Sequence, residues 1–113
     1  MIRAEFSVSE QSVTGFTLKG HAGLASSGSD VLCAAVSAMA LLTVNLLKEI
    51  FGARFDLTEN EEKGFLSLQL SEVPAGNKNA VKGVLQGFML QLTDLRDQYH
   101  DNLSVTIKER NGR

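Results

Sequence analysis

Val31-Leu32-Cys33-Ala34-Ala35-Val36-Ser37-Ala38-Met39-Ala40-Leu41-Leu42-Thr43-Val44-Asn45-Leu46-Leu47 carries no charged side chain and approaches the length that spans a bilayer. Ser37, Thr43 and Asn45 interrupt it, and two strand-like segments precede it, so it reads as the core helix of a globular fold rather than as a membrane segment. Asp30 or Ser29 can cap its start. Its end is expected near Glu49, where Lys48 suits the negative end of a helix and Gly52 a C-cap. Apolar residues run almost all the way round it. Such a helix needs cover on most sides, so it is expected against a sheet, with a second helix or another subunit shielding the remainder. Ala34, Ala35, Ala38 and Ala40 permit close approach.

Upstream, Ile2, Ala4, Phe6 and Val8 alternate with polar residues, and Phe16 and Leu18 do so again after Ser9-Glu10-Gln11-Ser12, which predicts an opening hairpin that runs out at Gly20. Downstream, Phe55 and Leu57 form one alternating run and Leu66, Leu68 and Leu70 another, around a polar turn from Thr58 to Gly64. Beyond Pro74 and Gly76, the residues Val81, Val84, Leu85, Phe88, Leu92, Leu95 and Tyr99 recur at helical spacing, and Leu103, Val105 and Ile107 make a final strand. Gly83 and Gly87 suggest tight packing along the second helix, and His100 reads as a cation at its exit. The order is ββαββαβ: an α+β, two-layer fold with one mixed sheet of about five strands and two helices. Residues 1–113 are expected to form a single domain, with no repeat, linker or low-complexity segment.

Composition narrows the function. The chain has 113 residues, is 43% hydrophobic and has six Phe, enough for a core without staples. Its one cysteine cannot form an internal disulfide, no Cys/His cluster has zinc spacing, and the start of the chain lacks the pattern of a signal peptide. A cytoplasmic protein without metal or cofactor is expected. The net charge of −2, with no block of Lys or Arg, disfavours direct nucleic-acid binding, and no membrane association is expected.

The chemistry should lie where the opening hairpin enters the core helix. Gly20 to Ser29 holds three glycines and three serines without apolar periodicity, so it reads as a mobile loop and a candidate lid. With Asp30 at the N-cap, Cys33 takes the third helical position, where free backbone N–H groups and the helix dipole favour a thiolate. His21, at the other end of the loop, can take the thiol proton, pair with the thiolate and later protonate a leaving amine. Ser37 lies one turn beyond Cys33 on the same face and can touch thiol, substrate or its own backbone. Asp30 as a plain cap, Cys33 as an inert small hydrophobe and His21 as polar surface are the competing interpretations. Phosphate binding by the glycine loop is disfavoured, because the loop has neither a Walker lysine nor a GxGxxG order. A redox-sensing thiol would require a resolving partner for which the sequence has no sign.

Gly20-His21-Ala22, five residues, Gly28, one residue, Asp30, two residues, Cys33-Ala34, two residues, then Ser37-Ala38 resembles the signature of the bacterial ribosomal-processing cysteine protease family, Prp. The element order and the length are similar to the family's over essentially the whole chain. The resemblance implies a cytosolic, usually homodimeric endopeptidase. Its substrate would be the N-terminal extension of the twenty-seventh large-subunit ribosomal protein, removed during ribosome maturation. It further implies Cys33 as nucleophile and His21 as base, a Cys-His dyad, with Asp30 and Ser37 as accompanying polar positions. Ala22-Gly23-Leu24-Ala25-Ser26-Ser27-Gly28-Ser29 would be a substrate-binding loop that orders over the bound peptide. The alternative is a non-catalytic ribosome-assembly factor that binds ribosomal protein or precursor particles through the same loop.

Overall fold

Ile2, Ala4 and Phe6 alternate with Arg3 and Glu5, and this pattern becomes a strand with one buried and one solvated face. The computed structural model describes residues 1–21 and 31–110. Its elements run β1 (Ile2–Ser9), β2 (Ser12–Lys19), α1 (Val31–Asn45), β3 (Arg54–Asn60), β4 (Phe65–Glu72), α2 (Lys78–Gln98) and β5 (Leu103–Glu109). The strands form one mixed sheet in the order β3-β4-β2-β1-β5; β1 and β5 are parallel and the other pairs antiparallel. The ββαββαβ, two-layer fold expected from the sequence is the one observed.

Register puts the large side chains on one face. Phe6 pairs with Phe16, Phe16 with Leu68, and Ile2 with Leu103, and all five are buried. Onto them pack Leu32, Val36, Ala40 and Leu47 from α1 and its extension, and Val81, Leu85, Phe88 and Leu92 from α2. Phe88 meets the rings of Phe6 and Phe16 edge-on, at 5.6 and 5.0 Å between centroids, an arrangement that adds quadrupole attraction to area burial. On the opposite face the sheet is tied by polar bonds. Thr17 Oγ1 and Ser67 Oγ are 3.1 Å apart, and Gln69 Nε2 donates to Ser7 Oγ at 3.3 Å. Thr43, buried in α1, donates its hydroxyl to the Met39 carbonyl at 2.8 Å, and among the described residues no buried polar side-chain atom lacks a partner.

The structure refines four expectations. α1 passes at Leu46–Ile50 into a π-helical turn before Gly52, whose φ of 64° ends it as a C-cap glycine does. β3 continues through Thr58, Glu59 and Asn60, because these residues still pair with Ser67, Leu66 and Phe65; an exposed edge strand does not need apolar alternation. Gly83 and Gly87 do not pack tightly against the described residues: a Cβ at either would meet none of them within 4 Å, since α2 turns Val81, Leu85, Phe88 and Leu92 inward instead. Cover for the core helix is incomplete, with Val31, Leu41, Leu42 and Ile50 each more than half exposed. His100 lies at the exit of α2, its Nδ1 3.1 Å from Asp101 Oδ1.

Candidate active site

β2 ends at Lys19, and the backbone of the next residue is captured by a different hairpin. Gly20 N–H donates to the Gly64 carbonyl at 2.8 Å, which fastens the exit of β2 to the turn between β3 and β4. That turn is itself closed by Gly64 N–H to the Glu61 carbonyl at 3.1 Å and by Lys63 N–H to Asn60 Oδ1 at 3.1 Å. His21 follows directly. Its imidazole lies over Gly64, so close that a Cβ there would sit 2.9 Å from both Cε1 and Nε2.

Cys33 comes from the first turn of α1 and is half-buried. Its neighbours Leu32 and Val36 are buried and anchor that turn in the core. His21, Cys33 and Ser37 line one cavity of about 380 Å³. Ile2, Leu18, Val36 and Leu66 supply apolar wall, and Glu59 and Glu61 add carboxylates from the β3–β4 hairpin. A second cavity of about 390 Å³ near the start of α2 is lined by Ser12, Thr14, Lys78 and Lys82 among others, with no histidine or cysteine.

Three of the residues expected to matter, His21, Cys33 and Ser37, are thus brought together. Asp30 and the loop Ala22 to Ser29 lie outside the described residues. Glu59, Glu61 and Gly64 were not anticipated. In the sequence they belong to a polar turn some forty residues from His21, and only the pairing of β2 with β4 carries that turn to the site. Chemically, the cavity brings a thiol and an imidazole to one lining, beside apolar walls from Ile2, Leu18, Val36 and Leu66.

The chain matches the family described as Cysteine protease Prp over residues 1–104. It is similar to the ribosomal processing cysteine protease Prp of Bacillus subtilis (strain 168), at 29% identity over 99 residues, which covers 86% of this chain and 88% of that protein. The protein of the same name from Staphylococcus aureus (strain Mu50) is 24% identical over 109 residues, covering 96% of this chain and all of the relative. Among solved structures, the Streptococcus mutans protein SMU.848 aligns with a TM-score of 0.85 at 27% identity, over 97% of this chain and 96% of that one. The crystal structure of the essential ribosomal processing protease Prp from Staphylococcus aureus, in complex with a covalently linked product peptide, shares the fold. Its TM-score is 0.86 at 24% identity, over 96% of this chain and 100% of that one. With the family matched almost from end to end and its fold reproduced, this chain belongs to the Prp family of cysteine proteases.

Proposed function

We propose that the enzyme removes the N-terminal extension of the twenty-seventh large-subunit ribosomal protein during ribosome maturation, with Cys33 as nucleophile and His21 as general base. The observation that carries this reading is the convergence of His21 and Cys33 on one cavity, from elements separated by the whole intervening loop. The ribosomal processing named for the relatives gives the substrate class.

His21 takes the Cys33 proton as the sulfur attacks the carbonyl of an extended peptide. The negative charge that develops on the carbonyl oxygen would be met by backbone N–H groups at the start of α1, where the helix dipole favours an anion. His21 returns the proton to the leaving amine, the C–N bond breaks, and a thioester remains on Cys33. Water, deprotonated by His21, attacks the thioester; the acid is released and the thiol is restored. No cofactor enters the cycle. Ser37 contributes a hydroxyl to the cavity one turn beyond the thiol, with Asp30 as an accompanying polar residue and Ala22 to Ser29 as the substrate-binding segment. The chain acts as a cytoplasmic homodimer and as one domain, residues 1–113.

A peptide spanning the extension and the first residues of the mature ribosomal protein tests the roles. His21→Ala should lower kcat by about 10²- to 10⁴-fold, the range of general acid–base assistance. Intact-mass spectra of the wild-type reaction should show a thioester adduct on Cys33. Full activity in His21→Ala, or an adduct on any other residue, contradicts the assignment.

A further inference from the structure

We propose that Gly64 is a positioning residue for the reaction: the missing side chain of this glycine is the seat that holds the His21 imidazole toward the Cys33 cavity. The inference rests on the reading of His21 as the base. Two contacts define the seat. Gly20 N–H donates to the Gly64 carbonyl at 2.8 Å, so the residue before the histidine is fixed to the turn by its backbone. A Cβ on Gly64 would lie 2.8 Å from the Gly20 carbonyl oxygen and 2.9 Å from Cε1 and Nε2 of the imidazole, closer than carbon packs against either. Any side chain at position 64 must therefore displace the ring, the backbone before it, or both.

The turn is suited to the task because it is held on both sides. Its own bonds to Glu61 and Asn60 close it, and β4, which follows at once, pairs through Phe65 with Lys19 at the end of β2. Gly64 also lines the cavity that His21 and Cys33 share, with Glu59 and Glu61 on the same hairpin. Fixing the imidazole in advance removes the cost of orienting it at each turnover, and a shift of about 1 Å in such a group can cost about 100-fold in rate.

The backbone at Gly64 has a φ of 61°, so a substitution also strains the turn, and the test needs a matched control. Gly52 supplies one: its φ is 64°, and among the described residues a Cβ there meets only Pro74 Cγ, at 3.8 Å. Asn tolerates this conformation, so Gly64→Asn and Gly52→Asn make the same dihedral demand, with and without the Gly20 carbonyl and the imidazole in the way; the His21→Ala background separates the two contacts. Cleavage of the ribosomal-protein extension peptide should fall about 100-fold in kcat for Gly64→Asn, with KM little changed, while Gly52→Asn keeps the wild-type rate. In a His21→Ala background, Gly64→Asn should cause no further loss, because no ring is left to displace. Wild-type kcat in Gly64→Asn, or the same loss with and without His21, overturns the proposal. A fully active His21→Ala refutes the base assignment instead, a separate result. Should Gly64→Asn fail to fold, the wild-type protein still decides the matter. A nuclear Overhauser contact between His21 Hε1 and the Gly64 α-protons is expected, and its absence overturns the seat.

Discussion

Cys33 owes its position to the residues on either side of it. Leu32 and Val36 are buried beneath α1 and orient the first turn so that Cys33 and Ser37 face the cavity while Ala34 and Ala38 face out. The shared face of Cys33 and Ser37 was legible in the sequence, since spacing of four along a helix puts residues on one face. The seat of His21 was not. Its partner Gly64 lies beyond an entire helix and strand, and its relevance depends on which strands pair, a long-range fact that local periodicity does not encode. The same holds for Glu59 and Glu61. At this scale the account predicts that Phe88→Ala, which removes a ring packed on both Phe6 and Phe16, costs about 3–5 kcal/mol of stability in urea unfolding. A loss below about 1 kcal/mol would mean that the three rings do not form the packed centre described.

Elements were read from the sequence more easily than their ends. Alternating runs marked the five strands and a helical stripe marked α2, because half-buried elements must repeat with their own geometry, while α1 was read from its long uncharged apolar stretch. Edge strand β3 extended past its expected end because hydrogen bonding to β4, not apolar alternation, holds Thr58 to Asn60. The β1–β2 turn offers a prediction. Glu10 and Gln11 both have positive φ, 51° and 67°, in a two-residue loop between paired Ser9 and Ser12. Side chains pay a steric penalty there that Asn-Gly avoids. Replacing the pair by Glu10→Asn with Gln11→Gly should stabilise the protein by about 1 kcal/mol, a rise of a few degrees in the midpoint of thermal unfolding. An unchanged or lower midpoint would show that the turn does not carry the strain its dihedral angles indicate.

Over the whole molecule, one layer of helices covers one face of one sheet, and the outer surface of α1 remains apolar. Leu41 and Leu42 are 54% and 58% exposed, and Val31 and Ile50 more so, which is the physical ground for the homodimer proposed above. The sequence signalled this surface through a helix apolar on every side, although a membrane span has the same composition; the burial of Leu32, Val36, Ala40 and Leu47 against the sheet shows one face serving as core. Leu42→Glu, away from the cavity, should convert a dimer to a monomer in light scattering coupled to gel filtration. A dimer that survives the change, or a wild-type protein that is monomeric at all concentrations, would place no partner on this face.

The central claim is that Cys33 is the nucleophile of a protease that trims a ribosomal protein, and the most direct measurement is mass spectrometry of that protein, taken from the same organism and incubated with wild type or Cys33→Ala. The account predicts a single N-terminal truncation with wild type and none with Cys33→Ala, although both bind the extension. Truncation by Cys33→Ala, or binding of the extension without cleavage by either protein, would contradict it.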